Sequence, residues 1–465
     1  MREQGQERHV GVTVMPEFFQ TEGVAAVLDK LQGQLGANVV TTSPYVAAPT
    51  RPGEGFREPP DDAGQGHART LGRPLWGRSE IWMKTAPSFA PTIRRYSQTP
   101  YQPDPATELT HTDGGILNDI VSNARGRGMG CYIQIMAAIP PSYRVQTGEP
   151  LDQDQPMLPD GSPLPVRVDR NASLASANVR QYMDALIWDL CEAYPDATGI
   201  KFDWPEYPPY HFKSLLADYN PQVAPYAAEI GIDFERQRAQ MATLCPSDML
   251  RDGLKELVGP DTLIKQIKSA DTPLARHLRL RHYLVRSYAT FLTNSVRRHS
   301  GGRMRVYLQG FPPPWSELSG FDGPGLGAIA DDIGIKFYTM HWPMIGRNYI
   351  DHAAQSLGLP KDIIHTWFAR HFLGLTSHDA TPSHFDYPAP DEPHPISESA
   401  IDEKVRAFGF PGVIGITHGY GPVADVVSRL VATSEATGNR FEINRYAYLG
   451  DAKIEAIANA LNVFS

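Results

Sequence analysis

The sequence predicts a (β/α)8 barrel, the TIM-barrel architecture, with long insertions in its βα loops. Three observations predict it. Short apolar runs alternate with amphipathic helices about eight times along 465 residues. The turn after the first run, MPEFFQTEG, has no GxGxxG, which argues against a doubly wound dinucleotide fold. No repeat of solenoid length is visible. The whole chain, 1–465, is read as one barrel domain, with loop insertions about 46–110 and 140–176 and a helical insertion about 210–300.

The first unit is a βαβ. The run HVGVTVM, from His9, reads as a buried strand ending at Pro16 and Glu17. Val24, Val27, Leu28 and Leu31 have the spacing of an amphipathic helix, and ANVVTTSPY is a second buried strand. The pattern continues with the helix GGILNDIVSNARGRGM before GCYIQIMAAIP. NVRQYMDALIWDLCEAYP, with Tyr182, Leu186 and Leu190 on one face, precedes TGIKFD. A helical stretch, about 210–299, precedes the fifth strand, RMRVYLQGFP. GLGAIADDI leads into a sixth, GIKFYTMHWP; YIDHAAQSLGLP into a seventh, DIIHTWFAR; and SAIDEKVRAFGFP into an eighth, GVIGITHGYG. VADVVSRLVATSEA is the last companion helix.

Composition narrows the function classes. With 43 basic and 52 acidic residues and a net charge of -9, the chain has no basic stripe to replace phosphate counterions, so no nucleic-acid partner is expected. No run is long and apolar enough to span a bilayer, no secretory leader is recognisable, and a cytoplasmic location is the default expectation. Cys131, Cys191 and Cys245 are too scattered for a disulfide framework or a CxxC metal site and read as structural thiols. The oligomeric state is not readable.

In a barrel the C-terminal ends of the strands build the site. Asp203 ends the fourth strand, and Glu206 follows in a loop stiffened by Pro205, Pro208 and Pro209. Two nearby carboxylates in a half-buried site can be driven to different pKa values and divide the acid and nucleophile roles, as glycoside hydrolysis requires. Period-two alternation places Lys201 on the same side as Asp203, where its ammonium would keep the aspartate ionised. Further polar or aromatic groups stand at expected strand ends: Glu17, Tyr45, Trp204, Gln309, His341, Trp342, Arg370, His371, His418 and Tyr420. They suit hydrogen bonding to, and stacking on, a polyhydroxylated ring. The insertion from about Val46 to Trp82 is expected to cover the pocket, with Trp76 or Trp82 facing it.

GIKFDW resembles the fourth-strand Lys-x-Asp motif of α-galactosidase-type glycoside hydrolases. More broadly, GVTVMPEFF, TTSPY, AAIPPSYRVQ and DWPEYPPY make the chain similar to the glycosidase-like barrels grouped with glycoside hydrolases. The resemblance implies Asp203 as nucleophile and Lys201 as a contact to sugar hydroxyls. One departure matters: that type keeps its acid/base aspartate after strand six, where this chain reads FYTMHWPMI. The acid therefore falls to Glu206 or, by similarity to the fifth-strand glutamate of amylase-type barrels, to Glu317.

The expectation is a glycoside hydrolase acting on a small carbohydrate or glycoside, with no cofactor. Two alternatives stay open. A metal-assisted sugar isomerase, epimerase or lyase would draw Glu17, Asp203, Glu206 and His341 from separate strands, although the histidines at 365, 371, 378, 384 and 394 show no HxxxH or HExxH spacing. A non-catalytic carbohydrate-binding barrel is the other.

Overall fold

The computed structural model describes residues 8–60, 69–144, 148–164, 171–244, 248–375 and 385–461. Eight parallel strands close into a barrel in chain order: His9–Thr13, Val39–Thr42, Gly130–Met136, Gly199–Asp203, Arg305–Gly310, Asp332–Phe337, Ile414–His418 and Arg440–Asn444. Strand one closes the ring against strand eight, with His9 opposite Arg440 and Thr13 opposite Asn444. Residues alternate across each strand. Val10, Val12, Ile200, Phe202, Ile333, Ile335, Phe441 and Ile443 face outward into the large core shared with the helices. Val39, Tyr132, Tyr307, Ile414 and Ile416 form a separate cluster inside the barrel.

The helices follow their apolar spacing. Val24–Leu35 buries Val27, Leu28, Leu31 and Leu35, and it ends where Gly36 turns left-handed at φ 59°. Ala177–Ala193 starts at Ser176, whose hydroxyl accepts the Val179 N–H at 3.1 Å. The helical insertion ends in the 28-residue helix Pro273–Ser300, which buries Leu284, Tyr288, Leu292 and Val296 and packs on Ala177–Ala193.

Two strand assignments are corrected. Asp362–Arg370, expected as strand seven, is helix: Lys361–Phe368, continued by a π-helical turn, Ala369–Leu373. A short apolar run such as IIHTWF fits a buried helix as well as a strand. Strand seven is therefore Ile414–His418, and strand eight is Arg440–Asn444, which the sequence reading passed over.

The connection after strand two is more than a loop. Tyr45–Pro49, Ile81–Pro87 and Phe56–Glu58 form a three-stranded antiparallel sheet. Cys131 and Cys191 are buried free thiols, and Cys245 lies outside the described residues. Among the described residues no helix is long and apolar enough to cross a membrane.

Candidate active site

At the C-terminal end of strand four, Asp203 points into the barrel mouth. Its partner is Lys336 of strand six, whose Nζ donates to Asp203 Oδ1 at 3.1 Å and lies 3.7 Å from Glu206 Oε1. The barrel's stagger explains the meeting. Hydrogen-bonded register sets Asp203 beside Gln309 and Gln309 beside Gly334, and the strand tilt brings the residue two further on to the aspartate's level. Lys201 does not hold Asp203: it is bonded to Glu442 of strand eight, two levels deeper, with both side chains fully buried.

Glu206 is enclosed. Oε1 accepts the Phe311 N–H at 2.9 Å, and Oε2 lies 2.8 Å from the Ser319 hydroxyl. Burial raises its carboxyl to about 7 against the opposing pull of Lys336. Ser319 Oγ also lies 3.1 Å from the Ser316 carbonyl, which can only accept. A serine hydroxyl has one proton to give. When Glu206 carries its proton it donates to Ser319, which donates onward to Ser316; when Glu206 is ionised, Ser319 turns to it.

The turn carrying Glu206 is pinned from outside. Trp204 holds a left-handed φ of 55°, and the Asn171 amide donates to the carbonyls of Trp204 at 3.0 Å and Glu206 at 2.9 Å. Trp204 is nearly buried, with Lys336 Nζ 5.6 Å from its ring centre.

The other expected residues separate into three groups. His341 and His418 do reach the mouth, and Gln309 lies inside the barrel one level below Asp203. His341 Nδ1 lies 3.2 Å from the Tyr210 hydroxyl, and Tyr338 makes edge contacts with both His341 and His418. His418 Nδ1 accepts the Tyr420 N–H at 3.1 Å.

Glu17 and Tyr45 belong to a sealed ionic network on the rim. Arg144 donates to Glu17 at 3.1 Å, to Tyr45 at 2.7 Å and to Glu58, and Arg445 holds the other oxygen of Glu58. Burial raises the Glu17 carboxyl despite Arg144. Burial pushes Glu58 the same way, but Arg445 and Arg144 outweigh it and hold Glu58 below the usual range. Glu58 lies in the antiparallel sheet, so this network fastens the insertion to the rim after strands three and eight. Arg69, from the same insertion, stacks over Tyr387, Tyr420 and Tyr448. Trp76 is half-buried in a tight turn of that insertion with φ 45°, and Trp82 is half-buried within its sheet.

The third group lies away from the mouth. Trp342 is fully buried with Trp315 and Phe372 in an aromatic core. Arg370 and His371 ride the π-helical turn rather than a strand end: Arg370 is exposed, and His371 Nε2 bonds the Leu257 carbonyl. Glu317 pairs with Lys268 on the helical insertion and sits 3.7 Å from His282.

Lys336 and Ser319 were not singled out from sequence. A signal existed for the lysine, since GIKF occurs twice, at 199–202 and 334–337.

Among the described residues no three His, Cys, Asp or Glu side chains converge into a metal-binding group. Glu17, Glu206 and His341 are each engaged in a different cluster. His378 and His384 lie outside the described residues.

Fold and site together define a class: a (β/α)8 barrel with a lysine shared by two carboxylates at its C-terminal mouth. No family model and no curated protein matches the chain. Among solved structures it is similar to the catalytic domain of a beta-amylase from Paenibacillus polymyxa, at 9% identity and a TM-score of 0.48, over 99% of this chain and 97% of that one. It is also similar to a beta-galactosidase from the psychrophilic Marinomonas ef1, at 11% identity and 0.46, over 98% of this chain and 59% of that one. A class V chitinase from Pseudomonas fluorescens Pf-5 follows at 9% and 0.41, over 98% and 100%. At scores this low the likenesses add nothing to the topology read from strand pairing, and each printed activity stays with its own protein.

Proposed function

We propose that this protein is a glycoside hydrolase in which Asp203 is the carboxylate that meets the anomeric carbon. The observation that carries the reading is the unequal pair around Lys336. Asp203 keeps 13% side-chain exposure at the mouth, bonded to the ammonium, whereas Glu206 is fully enclosed and holds its proton to about 7. A partly open carboxylate beside an enclosed one whose pKa burial raises is the kind of unequal pair that glycoside cleavage exploits.

Asp203, bonded to the Lys336 ammonium, attacks the anomeric carbon as the bond to the aglycone oxygen breaks, or takes a proton from the water that attacks it; the departing oxygen takes its proton from solvent. Glu206 has both oxygens engaged inside the protein, so in this arrangement it acts on Lys336 and the turn and does not face the substrate. The direct acid role expected of it is replaced here by a positioning one: its protonation state sets how strongly Lys336 is drawn away from Asp203.

The test uses aryl glycosides with activated leaving groups, which need no acid. Asp203→Asn is expected to lower kcat/KM roughly a hundred- to ten-thousandfold, while Glu206→Gln keeps turnover but loses the pH dependence set near 7. Wild-type rates in Asp203→Asn would end the reading.

A further inference from the structure

Every second residue of a barrel strand points inward, and register fixes which of them share a level. The level rises by one residue for each strand passed. That rule places Lys201 with Glu442 and Asp203 with Lys336, the pairs that are in fact bonded. Applied to the odd strands, it groups Thr13, Gln134, Gln309 and Ile416 into one level between those two.

Two polar side chains of this level are buried and unmatched. Gln309 is 1% exposed, yet neither its carbonyl oxygen nor its NH2 has a hydrogen-bond partner among the described residues. The buried Thr13 hydroxyl has none either, nor has that of Thr41 one level deeper. Buried amides are nearly always bonded, and an unbonded one carries its full desolvation cost. Gln134 lies mid-strand inside the barrel but is only half-buried, so the space around it opens to solvent. The mouth above is walled in: His341, His418, Tyr387, Tyr420 and Asn444 are all nearly buried.

We infer that Gln134, Gln309 and Thr13 form the floor of a blind subsite that receives the terminal unit of an uncharged sugar, so that the protein works from a chain end. This rests on the glycosidase reading of Asp203. An amide offers a donor and an acceptor side by side, which matches hydroxyls, themselves both donor and acceptor. Among the described residues a carboxylate on the sugar would find no uncommitted ammonium at these levels, because Lys201 below is bonded to Glu442 and Lys336 above to Asp203. The Lys201–Glu442 pair and the Tyr132–Tyr307 cluster seal the space beneath, so no chain can thread through.

The experiment separates binding from turnover. Binding of glucose, galactose, mannose, xylose and fucose to the Asp203→Asn protein is measured by calorimetry, alone and combined with Gln309→Met or Gln134→Met. One of these sugars is expected to bind, and each methionine to weaken it about tenfold or more. The ligand-free Gln309→Met protein should melt at or above the wild-type temperature, because an unpaired amide has been removed. Failure of every sugar to bind overturns the subsite, as does a lowered melting temperature with unchanged affinity. On oligosaccharides labelled at the reducing end, one-unit shortening supports the inference, and mid-chain fragments overturn it. If sugar binds with the expected methionine sensitivity but no glycoside turns over, the subsite stands and the glycosidase reading falls. If turnover depends on Asp203 while both methionine variants keep kcat/KM, the reverse holds.

Discussion

Strands four and six carry the same tetrapeptide, GIKF, and both lysines point into the barrel. Their surroundings differ completely. Lys201 is sealed against Glu442, which also accepts from His9 at 2.9 Å; burial alone would raise this carboxyl, but Lys201 and His9 together bring it down to about 2. Lys336 lies two levels nearer the mouth and is shared between a partly open aspartate and an enclosed glutamate. Identical local sequence is sealed in the barrel interior at one level and set beside the open mouth two levels above. Strand register decides which.

The largest effect should come from unpairing the sealed lysine. Lys201→Met leaves Glu442 buried with only His9 beside it and is expected to destabilise by about 3–5 kcal/mol in urea unfolding. Lys336→Met leaves Asp203 at the solvent edge and Glu206 already inclined to protonate, so it should cost clearly less stability while impairing turnover. Equal destabilisation by the two would erase the distinction between the levels.

Acid titration should move the two glutamates in opposite senses. The folded pKa of Glu442 is depressed, so its contribution is present above the ordinary carboxylate range and lost as pH falls toward about 2. Glu206 is raised, so its contribution is present below the ordinary range and lost as pH rises through about 7. Each is bounded at about 3 kcal/mol. Glu206→Gln should therefore gain stability relative to wild type between pH about 5 and about 8, measured by urea midpoints, and a flat difference would contradict the raised pKa. The smallest effect belongs to Glu317. Its pair with Lys268 is partly exposed, so Glu317→Ala should cost below about 1 kcal/mol and leave turnover unchanged.

Much of the barrel was legible because its outward strand faces are nearly pure Val, Ile, Leu and Phe. The two failures have one cause. IIHTWF is apolar enough for a strand but forms a helix face, with Ile364 and Phe368 buried. RFEIN looks like surface because Arg440 and Glu442 interrupt it, and the distant Lys201 and His9 make a buried glutamate acceptable there. In the site, Asp203 and Glu206 were legible from strand-end position, but their shared cation was not, because it depends on stagger across two strands. Trp342 shows the opposite error: its place near a strand end suggested a sugar platform, yet its indole completes an aromatic core. Gln134 carried no signal at all, since an inward glutamine matters only once the level it shares is known.

The grip of Asn171 on two carbonyls of the next connection has a consequence for inheritance. The loops of a barrel are commonly treated as exchangeable parts, each free to vary while the strands persist. Here the connection after strand three clasps the backbone on either side of Pro205 with both hydrogens of one amide, and it holds Trp204 in a conformation that a bulky residue resists. A transplant of either loop alone would arrive without its counterpart. In descent and in engineering, the two should travel as one piece.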